Sequence, residues 1–198
     1  MLVGVLAASC ASTPSGQKAN KRVAVAPGSP SKNQTVRKNE EHACVNRGLV
    51  RETKFIQRRS ALGGPGRCGA LRPYTVAAVD HGRVRLQPSA TLRCPMVPAV
   101  DNWVRKAVMP AAIKHLGSPV KSLRIFASYS CRTRNNRPFA KLSEHGLANA
   151  IDVAAFDLAD GRRVTVLRGW NGKSTGERAF LRAVHRDACK HFTTVLGP

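Results

Sequence analysis

Segments with a strand period and segments with a helix period follow one another in this chain without alternating strictly. That order constrains the fold more than any composition figure. Residues 74–79 and 83–87 flank Asp80-His81-Gly82, a hairpin signal whose glycine can take positive φ. Residues 95–116 then carry Val100, Trp103, Val104, Ala107, Val108 and Ala111 at helical spacing, with Gly117 as a stop. Pro110 falls inside that run and is expected to kink or divide it. Residues 122–130 and 148–158 read as strands, and Asp160-Gly161 turns the second into a further strand at 163–167. Residues 177–192 are amphipathic, with Phe180, Leu181, Val184, Ala188 and Cys189 on one face. Residues 193–196 read as the start of another strand. Strands followed directly by strands, with helices between only some of them, predict an α+β fold: a mainly antiparallel sheet with flanking helices.

The length of 198 residues suits one domain with an extension. The first ten residues end in Leu6-Ala7-Ala8-Ser9-Cys10, small residues before a cysteine, as in a bacterial lipobox. Residues 1–10 are therefore expected to be a lipoprotein-type signal segment with lipidation at Cys10, although the positive n-region of such a signal is missing. The apolar run is far too short to span a bilayer. Residues 11–43, rich in Ser, Pro, Gly, Asn, Gln and Lys without apolar periodicity, are expected to be a disordered basic linker. The folded domain is placed at 44–198. It carries 27 Lys/Arg against 9 Asp/Glu, so the basic excess belongs to the folded part and not to the linker alone. Such a field favours anionic surfaces, whether nucleic acid, lipopolysaccharide or acidic lipid, and does not choose between them.

Chemistry enters at Ser143-Glu144-His145-Gly146-Leu147-Ala148-Asn149-Ala150-Ile151-Asp152. His nitrogen and Asp oxygen are both zinc ligands, and a catalytic zinc needs three protein ligands with a fourth position open to water. Positions two apart on a strand share a face, so Ala148, Ala150 and Asp152 are expected to point the same way, with room for an ion beneath His145. The competing reading pairs Asp152 with one of the many arginines and leaves His145 as a turn residue. None of the other histidines suggests a third ligand. His42 is in the linker and His81 in a turn, while His185 and His191 are six apart on a helix instead of four.

The decapeptide resembles the Ser-x-His-x-x-Gly-x-Ala-x-Asp signature of zinc D-alanyl-D-alanine peptidases, whose fold the hedgehog signalling domain shares. Ser143, His145, Ala150 and Asp152 match, and Ala148 stands at the glycine. A closer resemblance, over about 44–198, is to the bacterial extensin-like C-terminal domain family. It rests on Cys68-Gly69, the hairpin before Cys94, Ser128-Tyr129-Ser130-Cys131-Arg132, Leu142-Ser143-Glu144-His145, Phe180-Leu181-Arg182, Ala188-Cys189 and Thr194-Val195-Leu196-Gly197-Pro198. The resemblance implies a zinc-peptidase-like fold with His145 and Asp152 as zinc ligands. It also implies Arg132 as a holder of an anionic substrate group and Ser143 as either a substrate contact or a turn cap. The substrate class it implies is peptidoglycan stem peptide, cut by metal-activated water. The lipobox and the cysteines themselves point to a periplasmic or cell-envelope protein, lipid-anchored through Cys10. Five cysteines remain besides Cys10, enough for two disulfides and one thiol over. Connectivity does not follow from sequence; Cys131–Cys189 and Cys44–Cys68 are the expected pairs.

Two other readings stand beside this one. A non-catalytic, cell-wall-binding lipoprotein would keep the fold without the chemistry. A basic nucleic-acid-binding protein would use the charge, but no helix-turn-helix, zinc finger or aromatic–basic platform appears, so no specific nucleic-acid partner is expected. Finally, the family pattern places a His-rich segment after Thr194-Val195-Leu196-Gly197-Pro198. The chain is therefore expected to be truncated there, with the third zinc ligand beyond Pro198.

Overall fold

A computed structural model describes residues 32–64, 67–134 and 140–198. The architecture is α+β with a mainly antiparallel sheet. Six strands line up in the order β1 (Ile56–Arg58), β4 (Pro73–Val79), β5 (Val84–Arg93), β6 (Val120–Ala127), β7 (Asp152–Leu158) and β8 (Arg163–Thr165). Two short strands, β2 (Leu62–Gly63) and β3 (Gly69–Ala70), pair beside it. Every neighbour in the main sheet is antiparallel except β5–β6, which is parallel. A parallel pair needs a long crossover, and here the central helical run supplies it. The expected hairpin forms, with His81 at φ 56° and Gly82 at φ 90° in the turn. A Cβ on Gly82 would meet the Phe55 ring at 2.2 Å, so the turn needs glycine for space as well as for conformation.

The crossover is α2 (Met96–Trp103), a π segment (Val104–Val108) and α3 (Met109–Leu116), ended by Gly117 at φ 68°. Pro110 divides it in a particular way. Its ring offers no N–H to the carbonyl four residues back, and the hydrogen-bond ladder widens to the π pattern just ahead of it. Helical dihedrals persist through both junctions. Helix α3 packs against α5 (Thr175–Ala188), and both lie over one face of the sheet with α2. Val84, Leu86, Ala90 and Leu92 of β5 point into this core, joined by Val100, Val104, Val108, Phe156, Phe180 and Val184. Trp103 and Phe180 each meet Phe156 edge to face in this core, and the Trp103 indole donates to the Val184 carbonyl at 3.2 Å.

Several expectations change. Helix α1 (Lys32–Asn46) starts inside the segment assigned to the linker. It docks through Glu41, which accepts from the Leu71 and Arg72 amides at 3.3 and 2.9 Å. The rest of residues 11–43, and the signal segment with Cys10, lie outside the described residues. The strand expected at 148–158 begins only at Asp152, and the one at 163–167 gives way to a short helix α4 (Val166–Gly169). Residues 193–196 form no strand; Phe192 and Val195 pack against the core without sheet partners.

The disulfide pairs differ as well. Cys44 bonds Cys94, stapling α1 to the end of β5, and Cys68 bonds Cys131, joining the loop before β3 to the loop after β6. Cys189 is also disulfide-bonded, so it is neither the Cys131 partner nor a leftover thiol. Tertiary approach decides these pairs, because bridging needs Cα atoms within about 7 Å. Among the described residues, no helix is long and apolar enough to cross a membrane.

Candidate functional site

The site grows from a single turn of 3-10 helix, Glu144–Leu147, between the loop after β6 and the start of β7. Ser143 caps it: the Ser143 hydroxyl accepts from the His145 N–H at 3.4 Å. The Ser143 amide donates to the Arg132 carbonyl at 3.0 Å. Ser143 is buried and occupied in holding the turn, so of its two expected roles the cap is the one the geometry displays. The turn ends at Ala148 with φ 50°, a left-handed conformation that disfavours a Cβ. The Ala148 carbonyl accepts from the Arg93 amide at 2.9 Å, which ties the turn to β5. Ala148 and Ala150 are therefore not strand neighbours of Asp152; the room near the histidine comes from the turn.

That turn aims His145. Its Nδ1 lies 2.7 Å from the Ser128 carbonyl, a pure acceptor, so Nδ1 carries a proton and donates. Nε2 then faces Asp152 Oδ2 at 3.4 Å. His145 is buried, whereas the Asp152 side chain is 45% exposed, so the pair opens to solvent on the acid's side. The hydrogen bond that Nε2 donates to Asp152 raises the imidazole above its ordinary value of 6.5. Burial opposes the shift, the Ser128 carbonyl adds to it, and the Arg132 charge works against it. Arg132 thus lies close enough for its charge to be felt at His145.

Glu144 turns the other way, to Arg37 of α1 at 2.7 Å and to the Asn149 amide at 2.8 Å. It is not placed to act as a base on anything bound at Nε2. On that far side lies a cleft of about 480 Å³ with Lys38, Arg67, Arg134 and Lys141 in its walls. Buried Arg93 also lines it; burial lowers the Arg93 pKa, and the nearby Glu41 and Glu40 charges offset part of that.

The two residues singled out as ligands, His145 and Asp152, are brought together, and Arg132 stands near. Sequence reasoning missed Ser128, whose carbonyl orients the imidazole; a main-chain acceptor 17 residues away leaves no mark in residue type. Among the described residues, no group of three His, Cys, Asp or Glu side chains is placed to hold a metal ion. A family described as extensin-like protein C-terminus matches residues 42–198. No curated protein and no solved structure matches the chain.

Proposed function

The chain belongs to the extensin-like C-terminal family, and from that premise we propose a cell-envelope domain similar to zinc D-alanyl-D-alanine peptidases, whose His145–Asp152 pair binds zinc beside a site for peptidoglycan stem peptides. One observation carries the metal part of this reading. With Nδ1 committed to Ser128, loss of the Nε2 proton leaves a His145 lone pair for a metal, and Nε2 stands 3.4 Å from Asp152 Oδ2. Two donors each bound to one tetrahedral zinc stand about 3.3 Å apart. A carbonyl on the far nitrogen is also the usual outer-shell partner of a metal-ligating histidine.

The fit is that of two ligands out of three. Zinc in a complete site acts as a Lewis acid on the peptide carbonyl and on water, and the described residues bring neither a third donor nor a base. The proposal therefore extends to metal and peptide binding, with no hydrolytic step derived. Arg132 supplies a planar guanidinium beside the pair, suited to a stem-peptide carboxylate. The disulfides support an oxidising compartment such as the periplasm, where peptidoglycan is within reach.

The experiment is zinc titration of purified, disulfide-intact protein, followed by co-sedimentation with peptidoglycan sacculi. His145→Ala and Asp152→Ala should each lower zinc affinity about tenfold or more. Arg132→Ala should weaken sacculus binding while leaving zinc binding in place. Equal zinc binding by wild type and the His145→Ala, Asp152→Ala double variant would end the proposal.

A further inference from the structure

The sheet face away from the helices carries a second set of charges at the other end of β6 and β7. Strand register puts Arg85, Ser122, Asp157 and Arg163 side by side in one row across β5, β6, β7 and β8. Arg124 stands in the adjacent row, next to Gln87 of β5. Asp157 is buried beneath this layer. Its Oδ2 accepts from the Ser122 hydroxyl at 2.8 Å and from Arg124 Nε at 2.7 Å, and its Oδ1 accepts from Arg163 Nε. Both guanidiniums thus spend their Nε edge on a hidden carboxylate. Their terminal amino groups have no partner among the described residues, and the two side chains remain 42% and 51% exposed. Arg85 and Lys121 border the same shallow depression of about 330 Å³ and make no ion pair among the described residues.

A guanidinium held by an inner carboxylate is a prepositioned donor whose free edge suits phosphoryl oxygens. The row from Arg85 to Arg163 crosses three inter-strand spacings, about 14 Å, more than one phosphate spans. The surface is shallow and open, and β6 also exposes Phe126 at 81%. Cations spread over a flat face beside an exposed aromatic match the interfacial zone of an anionic bilayer. We propose that this face of the sheet docks the domain on an anionic phospholipid surface, with Arg124 and Arg163 binding lipid phosphates and Arg85 and Lys121 adding charge. The site is separate from His145–Asp152 and does not depend on the zinc reading. Nucleic acid offers phosphates too, but an oxidising compartment and the exposed Phe126 favour lipid.

The test is co-sedimentation of the full chain with phosphatidylcholine vesicles, with and without phosphatidylglycerol, at matched ionic strength. The patch variant is Arg85→Glu with Lys121→Glu, two positions outside the Asp157 cluster. The control, Lys114→Glu with Lys173→Glu, makes the same charge change elsewhere. Binding should require phosphatidylglycerol. It should fall about tenfold or more in the patch variant and less than about threefold in the control. Arg85→Gln with Lys121→Gln should give an intermediate loss, and guards against misfolding of the reversed-charge variant. Three results would overturn the proposal. The first is equal loss in patch variant and control. The second is release from vesicles by inorganic phosphate at constant ionic strength, which would mark a small-anion site. The third is duplex DNA bound with the same variant sensitivity while vesicles are ignored.

Discussion

Asp152 and Asp157 lie at opposite ends of one strand, five residues apart, and the surroundings of each set what it can do. Asp157 is buried and accepts from three side chains. Burial pushes its carboxyl up, but Arg163, Ser122 and Arg124 together outweigh that and bring it down to about 2. Its hydrogen-bonding capacity is largely taken up inside the protein, and what it contributes outward is the orientation of two arginines. Asp152 is half exposed and meets one side chain among the described residues, His145, whose own far nitrogen is already committed. Oxygen lone pairs remain unfilled there, and in the neutral imidazole a lone pair on Nε2 points at the same spot. The same residue type thus builds a rigid frame at one end and an unsaturated donor pair at the other. The difference lies in how many partners the flanking elements deliver.

The largest test of that contrast is the disulfide beside the His145 turn. A Cβ on Gly146 would stand 3.2 Å from Cys68 Sγ, so the turn rests on the Cys68–Cys131 bridge. Closing a loop of this length contributes about 4 kcal/mol by chain entropy. Cys68→Ser with Cys131→Ser should lower urea-unfolding stability by up to that amount. It should speed amide exchange around residues 143–149 while leaving 155–165 protected. Uniform loss of protection would mean the two ends are one cooperative unit.

Next come the acids themselves. Asp157→Ala strips the compensating charge from Arg124 and Arg163, at a cost of about 2 kcal/mol. Asp152→Ala, which removes a half-exposed acid with one partner among the described residues, should cost about 0.5 kcal/mol in metal-free protein. Denaturant midpoints at neutral pH decide it. Equal costs would erase the distinction between a filled and an unfilled acid.

The pH dependence should have opposite sign at the two ends. The Asp157 carboxyl drops from 3.8 to about 2 on folding, so its contribution is present above pH 3.8 and is lost as pH falls towards 2. After screening of its half-exposed arginines, that contribution is about 1 kcal/mol. His145 is raised above 6.5 on folding, so its pairing with Asp152 contributes fully below pH 6.5 and is lost as pH rises through the raised value. Thermal melts of metal-free protein should show the acid-side loss disappear in Asp157→Asn. The alkaline-side loss should disappear in Asp152→Asn instead.

The smallest effect concerns Ala148. At φ 50° it holds a conformation that glycine adopts freely. Ala148→Gly should stabilise the protein by up to about 1 kcal/mol with zinc affinity unchanged or higher. A loss of stability would mean that the buried methyl contributes more by packing than it strains the backbone.

Much of the frame was legible in the chain because its cause is local. Asp80-His81-Gly82 turns a hairpin wherever it is placed, since Gly82 accepts positive φ. The spacing of Val100, Trp103, Val104 and Val108 makes a helical face, and Gly117 stops it. Phe180, Leu181 and Val184 do the same for α5. The approach of His145 to Asp152 was legible only as a spacing within a motif. What the tertiary structure decided is everything that depends on closing long loops. It chose Cys94 for Cys44 and Cys131 for Cys68, brought the Ser128 carbonyl under His145, and stretched a helix from Lys32 across a segment whose composition spoke for a linker. It also left residues 193–196 without a strand partner, with Val195 against the core and Leu196 exposed. Periodicity records which face of an element is apolar. It does not record which distant backbone group will lie opposite, because that choice is made by the sum of packing contacts and not by any one segment.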